Sequence, residues 1–412
     1  MVDLQSINMV EVESAHTLSI VIPAYNEERG IRQIIERVLA VRPALAERGI
    51  ALELLVVDDG SADNTAAIVR RFPEVRLISH PTNRGYGAAL KTGFCAATGD
   101  WLAFLDADGT YPPESFPALC EQLAEGADVV VGSRRSGSES QMPLVRQIGN
   151  FIWSTLVTLL GNHHVADPAS GMRVFQRAAF DRLYPLPDGL NFTPVMSTRA
   201  IHENLRVVEV PIPYDEREGE SKLHVVRDGL RFLRTIVWTS LTYNPVRILG
   251  GLGLFSLAIA AVIGLVILGL RLSGVTTLGP WGVASIYGAG FAALLGVDLL
   301  ALGITFNYLV ALAHRRPVRQ GLFGRPILPG PLHRHFWWLG GLGMVLGVTL
   351  GITSLALSLG GWEIERLWFY LLVGVMLILL GLQLVLFWLI LRVLDELSQR
   401  EAQVQADLQR TL

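Results

Sequence analysis

The sequence predicts an α/β domain built on a mostly parallel sheet with helices on both faces, followed by a bundle of membrane-spanning helices. Three observations carry that prediction. Short apolar runs alternate with amphipathic helical segments between Thr17 and Ile212. Several of these runs stop abruptly at polar residues, most sharply in LAFLDADGTYPP, residues 102–113. Beyond about Pro245 charged residues become scarce.

Each element follows from its pattern. LSIVIPA (18–24) predicts a first buried strand, and Ile31, Ile34, Ile35, Val38 and Leu39 recur at helical spacing after Glu27. LELLVVDD (52–59) predicts a second strand and 65–72 a second helix. VRLISH, a helix over 88–97, WLAFLDAD and DVVVGSR (128–134) continue the alternation. Continuous apolar strands of this kind are buried on both faces, which is the habit of parallel sheets. Such sheets bind ligands beyond the carboxyl ends of their strands. Those ends carry Pro23 to Glu27, Asp58 to Ser61, Asp106 to Asp108 and Gly132 to Arg134, so polar residues gather at one rim.

Asp106 and Asp108 are the most pointed of these residues. In an extended chain, side chains one residue apart fall on the same side. Two hard oxygen donors there suit a divalent cation that still carries a phosphorylated ligand. An isolated Asp-x-Asp is more often a solvated turn, so its neighbours have to decide. Asp58 and Asp59 are two further carboxylates that need partners near a core, and base or ribose hydroxyls and amino groups would supply them. Ser61 and Asp63 suit helix capping. NRGYGAALK, residues 83–91, is either a close backbone approach to a ligand ahead of a phosphate-facing helix, or a glycine turn that packs helix on sheet.

The second half of the chain is of another kind. Over 412 residues the net charge is −3, with 51% hydrophobic and only 17% charged residues. No charge separates Arg247 from Arg271 or Arg366 from Arg392, and 272–313 holds only Asp298. Each apolar stretch is long enough to cross a bilayer core of roughly 30 Å. Four spans are predicted at about 248–270, 286–312, 337–360 and 367–391. The second is long enough to tilt or break. Asp298 is the sole acid in a span and receives no assignment.

Arg315, Arg316, Arg319, Arg325 and Arg334 crowd the connection between spans two and three. The positive-inside rule then places that loop, the N-terminal domain and the polar tail 393–412 in the cytoplasm of a multi-pass protein of the cell membrane. The polar, acidic residues 1–16 contain no apolar core, so no cleavable signal peptide is expected. Between the domains, 221–245 mixes Arg227, Arg231 and Arg234 with Leu230, Leu233 and Ile236, the pattern of an amphipathic helix on a membrane surface. Phe151, Trp153 and Leu156 add apolar surface. Cys95 and Cys120 are expected to be unpaired buried thiols, and His163 and His164 lack a third metal ligand at useful spacing.

Taken in order, VIPAYNEE, VVDDGS, NRGYGAALKTG, DADGTYPP, VVGSR, DPASGMR and EVPIPYDEREGESK resemble the motifs of family-2 glycosyltransferases of the Rossmann-like GT-A fold. Within that family they look most like the dolichol- or polyprenol-phosphate hexose synthases. The resemblance covers about residues 18–230, a catalytic domain of 17–220. It implies transfer, with inversion, of a hexose from GDP-mannose or UDP-glucose to a polyprenyl or dolichyl phosphate at the cytosolic leaflet. The bilayer is then a partner, nucleic acid is not, and self-association is compatible with the assignment.

By resemblance, Pro23, Tyr25 and Glu27 bracket the nucleobase, Gly85 and Lys91 join Asp58, Asp59 and Asp106 in donor binding, and Asp106 and Asp108 hold Mg2+ or Mn2+. One departure stands out: many relatives carry Gln close after the second Asp, where this chain has Gly109-Thr110, and the Thr110 hydroxyl would then hold a metal-bound water. An anionic lipid phosphate needs orientation more than deprotonation, so arginine forks replace a catalytic base. Arg134 and Arg217 are the expected catalytic cations beside Asp108, with Arg146 and Lys222 also on the acceptor phosphate and Arg217 and Lys222 in a lid-like loop. Arg173 either joins them or pairs with Asp167. Two rivals remain. A processive polysaccharide synthase is disfavoured because no Arg-Trp pair exists in the chain. A non-catalytic scaffold or glycolipid transporter is opposed by the intact Asp106 and Asp108.

Overall fold

Period-two apolar strands and period-3.6 helices sort into two faces of one sheet. The computed structural model describes residues 16–134, 144–161, 165–213, 225–275, 279–313, 332–362 and 364–410. It divides into two units, Met1–Ser240 and Leu241–Leu412.

The first unit begins with β1 (His16–Ala24), α1 (Ile31–Ala40), α2 (Arg42–Ala46), β2 (Ile50–Asp58), α3 (Thr65–Val69) and β3 (Val75–Ser79). It continues through α4 (Tyr86–Ala96), β4 (Trp101–Leu105), α5 (Phe116–Ala124), β5 (Val129–Ser133) and α6 (Leu144–Gly161). β6 (Met172–Gln176), α7 (Arg177–Leu183), α8 (Phe192–His202), β7 (Val207–Pro211) and α9 (Val225–Leu241) complete it. The sheet order is β3-β2-β1-β4-β6-β5-β7. All neighbours are parallel except β6, which runs antiparallel to both β4 and β5. The sequence pattern does not announce β6, because Arg173 interrupts its short apolar run.

Alternation explains the two cores. Leu18, Ile20 and Ile22 of β1, with Leu54 and Val56 of β2, pack on α1, α2 and α5. Val21, Leu55 and Val57 point the other way and meet α4, α7 and α8. Cys120 is buried in the first core, and burial pushes its thiol up to about 12. Cys95 corrects the expectation of two buried thiols, since it lies on the exposed side of α4.

In α9, Phe232 and Ile236 are buried while Leu230, Leu233 and Trp238 remain exposed. Arg227, Arg231 and Arg234 share that exposed side. Trp153 of α6 meets the Phe232 ring edge-on at 6.2 Å, and Phe151 and Ile152 add exposed apolar surface on α6.

The second unit contains α10 (Pro245–Leu272), α11 (Pro280–Ala313), α12 (Phe336–Leu359) and α13 (Ile364–Arg410). Among the described residues four helical stretches, Pro245–Leu272, Pro280–Ala313, Phe336–Leu359 and Phe369–Leu397, are long and apolar enough to cross a membrane. The second stretch does not break; it forms one helix of 34 residues. α13 runs on past residue 392 into the polar tail and continues to Arg410. Glu, Gln, Ala, Leu and Arg dominate there and are all strong helix formers.

Candidate active site

β1 and β2 end in register, Ala24 opposite Asp58, and Asp58 lies opposite Ser79 of β3. Between β1 and β4 the chain order reverses, which opens a crevice at the strand ends. The loops that follow are sewn together there. Asn26 adopts a left-handed conformation (φ 51°). Its amide donates to Ser61 Oγ at 2.9 Å and its Oδ1 accepts the Ala62 N–H at 2.9 Å. The Glu27 N–H donates to Thr65 Oγ1 at 2.9 Å. Asp63 accepts from Thr65 and Glu28; burial would raise its carboxyl, but these bonds outweigh that and lower it. Tyr25 projects from this frame with 38% of its surface exposed.

β4 stops at Leu105, and Asp106 to Gly109 form a turn, with φ at +74° for Gly109. Strand alternation therefore does not place the two carboxylates; the turn does. Asp106 Oδ1 accepts the Tyr86 hydroxyl at 2.7 Å. Its Oδ2 lies against the Cα of Gly171, where any Cβ would collide with the carboxylate. Asp108 Oδ1 accepts the Thr110 N–H at 3.2 Å and the Thr110 hydroxyl at 2.6 Å. That hydroxyl spends its proton on Asp108, so toward a water it would serve as an acceptor. A Cβ on Gly30, just ahead of α1, would lie 3.2 Å from the Ala107 carbonyl oxygen, so the first loop abuts the acidic turn.

Other expected donor ligands turn inward. Asp59 is buried; its Oδ1 accepts the Arg84 N–H at 2.9 Å and its Oδ2 the Gly85 N–H at 2.8 Å. His80 Nδ1 sits 2.7 Å from Oδ1. Asp58 Oδ1 accepts the Ser61 N–H at 3.2 Å. The start of α4 does not present its amides to a phosphate, because Gly87 and Ala88 both donate to the Asp188 carbonyl at 2.7 and 3.2 Å. Lys91 Nζ donates to the Leu186 carbonyl at 2.9 Å and pairs with Asp188 at 2.6 Å. Asp59, Gly85 and Lys91 therefore hold the loop behind the site instead of lining it. The glycine turn packs helix on sheet.

Arg134, expected on the acceptor phosphate, is held by the protein itself. Its Nε and Nη2 fork onto fully buried Asp167 at 2.7 Å each, and its own N–H adds a third bond at 3.1 Å. Only 12% of the Arg134 side chain is exposed. The buried carboxylate needs this partner, and no local spacing reveals a pairing across the intervening residues. Arg173, the other candidate for Asp167, is buried and donates to the Ser170 and Pro168 carbonyls at 3.2 and 2.7 Å. Burial lowers its guanidinium to about 10 despite nearby Asp167. Arg217 and Lys222 lie outside the described residues, as do His163 and His164, and Arg146 is described only as part of the α6 backbone.

Sequence reasoning missed two residues, Tyr86 and Gly171. Both stand inside quoted motifs, and a lone tyrosine between two glycines at a helix start was the available signal. Burial, then the charge of Asp106, raises the Tyr86 phenol well above its ordinary value. Its stabilising bond is fully present below about pH 10 and is lost only as pH climbs through the raised folded value. Tyr86→Phe removes a charge-assisted bond and is expected to lower turnover about tenfold, a loss of about 1.4 kcal/mol. Steady-state kinetics beside a melting curve checks this, since a purely structural bond would move only the melting temperature.

Comparison with known proteins completes this picture. Residues 19–184 match the family described as "Glycosyl transferase family 2", and residues 245–405 match a "Domain of unknown function (DUF8752)". The low-salt glycan biosynthesis hexosyltransferase Agl6 of Haloferax volcanii is 35% identical over 294 residues, spanning 70% of this chain and 68% of that protein. The chain belongs to glycosyl transferase family 2. This family-2 glycosyltransferase is also 29% identical over 309 residues to the undecaprenyl-phosphate 4-deoxy-4-formamido-L-arabinose transferase of Enterobacter sp., covering 73% of this chain and 90% of that one. Its fold partly overlays glucosyl-3-phosphoglycerate synthase of Mycobacterium tuberculosis at a TM-score of 0.45, with 23% identity over 56% of this chain and 81% of that chain. Its four apolar helices make the glycosyltransferase a membrane protein.

Proposed function

We propose that this glycosyltransferase moves a hexose from a nucleotide sugar, GDP-mannose or UDP-glucose, to a polyprenyl or dolichyl phosphate at the cytosolic leaflet. One observation carries the reading: Asp106 and Asp108 meet in a single turn at the crevice of the sheet, with Asp106 held from behind by Tyr86. The relatives named above, a hexosyltransferase and an undecaprenyl-phosphate sugar transferase, supply the acceptor class.

The two carboxylates fit Mg2+ or Mn2+ as hard oxygen donors. Among the described residues no group of three His, Cys, Asp or Glu side chains gathers around a point, so the donor diphosphate and water would complete such a shell. When bound, the ion neutralises charge on the departing nucleoside diphosphate. The chain's own residues do the rest. Tyr25 offers its exposed face to the base, with Pro23 and Glu27 beside it, and Asp58 takes ribose or base donors. Asp59, Gly85 and Lys91 keep the wall behind them rigid. An oxygen of the lipid phosphate forms a bond to the anomeric carbon from the opposite side as the bond to the diphosphate breaks. The diphosphate leaves with the electron pair, and the sugar inverts. No proton has to leave the attacking oxygen, so cations orient it: Arg217 and Lys222 are assigned there, with Arg146 beside the headgroup.

Membrane placement follows the same logic. Exposed Leu230, Leu233 and Trp238 lie among Arg227, Arg231 and Arg234, a mixture that suits anionic headgroups and acyl chains. The arginine-rich segment 314–335 supports a cytoplasmic placement of that side.

The test is release of nucleotide from each donor by membranes supplied with polyprenyl phosphate, with mass spectrometry of the lipid fraction. A glycosylated lipid phosphate is the expected product. Failure to glycosylate the lipid with any nucleotide sugar overturns the reading.

A further inference from the structure

Toward one end of the helical bundle, α10, α11 and α13 leave an apolar cleft of about 190 Å³ between them. Gly264 and Ile267, Ile286 and Gly290, and Phe369 and Met376 line it. The cleft exists because glycine stands where a side chain would close it. A Cβ on Gly264 would meet no atom within 4 Å, and one on Gly290 would touch only Met376, at 3.1 Å from Sδ. Gly264 lies roughly 28 Å along α10 from Pro245, in its far half at 1.5 Å per residue.

One turn beyond Ile267, on the same face of α10, stands Arg271. No other charged residue follows Arg247 in that helix. The Arg271 guanidinium lies 5.9 Å from the ring centre of Tyr370, the neighbour of cleft-lining Phe369. A cation suits any helix end, but that does not explain an apolar slot directly beneath it. A slot for a chain and a guanidinium fork one turn above it match the two parts of a phosphate-headed lipid.

We infer that this cleft binds a polyprenyl phosphate-type lipid, one apolar chain carrying a phosphate headgroup, in the leaflet opposite the one where α10 begins. The identity of the lipid rests on the function proposed above; the cleft and its cation do not. The chain lies between Gly264 and Gly290, and Arg271 forks the phosphate. Such a site retains acceptor or glycosylated product on the far face of the membrane, where a later glycosyl-transferring reaction would consume the sugar phosphate.

The test uses the full chain in nanodiscs with polyprenyl monophosphate, uncharged polyprenol or phosphatidylglycerol, read by native mass spectrometry. A Cβ at Gly264 meets no atom within 4 Å, and leucine is the better helix former, so Gly264→Leu is expected to fold and to occupy the cleft. The expected result is a retained polyprenyl phosphate adduct that falls at least tenfold in Gly264→Leu. Arg271→Gln should weaken the phosphate lipid but leave polyprenol unchanged. Equal retention in both variants, equal retention of phosphatidylglycerol and its equal loss, or a change in oligomeric mass on filling the cleft would each overturn the assignment. Sugar transfer is followed in parallel. Adduct loss with normal turnover in Gly264→Leu supports the site, whereas an adduct without any glycosyl transfer sinks the proposed function alone.

Discussion

Asp108→Asn is expected to lower sugar transfer by at least about 100-fold while leaving the fold intact. Asn keeps an oxygen where Oδ1 accepts the Thr110 N–H and hydroxyl, so the turn after β4 survives. What disappears is one negative charge from the turn after β4. If the pair binds a cation beneath the diphosphate, the loss falls on turnover and on the Mg2+ or Mn2+ dependence, and the melting temperature stays near that of the parent. Transfer kinetics across a metal titration, together with a melting curve, checks both halves. Turnover within a few-fold of the parent would remove Asp108 from the chemistry.

The largest stability effect is expected at Asp167. Its carboxylate is fully buried and takes both arms of Arg134 at 2.7 Å, with the Arg134 amide at 3.1 Å. Asp167→Ala takes the carboxylate from a mostly buried guanidinium and should cost about 3–5 kcal/mol. Replacing both partners, as Arg134→Met with Asp167→Leu, removes the charge without leaving an orphan and should recover most of that loss. Thermal or denaturant unfolding of the single and double variants in detergent measures the difference. The same set separates two roles for Arg134. Should Arg134→Met alone barely affect stability but raise the KM for the lipid acceptor, Arg134 contacts substrate after all.

Those two aspartates show how unevenly the site was written into the chain. Asp108 is legible because it follows an apolar run, stands one residue from a second carboxylate and precedes a glycine turn. Asp167 gives no such sign. Arg134 was visible as a cation at a strand end, yet its partner comes from a loop ahead of β6, a strand the apolar pattern itself conceals. Lys91 is similar: it lies in a recognisable glycine-rich motif, but Leu186 and Asp188 capture its ammonium. The roles of Tyr86 and Gly171 lie in contacts made across the fold, the hydroxyl on Asp106 and the Cα against the same carboxylate.

The chain alone determined the alternation of strands and helices, the rim of polar strand ends and the four apolar stretches. These follow from side-chain periodicity and from how many residues cross a bilayer, both properties of neighbours in sequence. Tertiary structure decided which charged groups remain turned toward a ligand and which are neutralised by the protein itself. A buried charge takes whatever partner the packing brings within about 3 Å, and that partner is set by contacts between segments far apart along the chain.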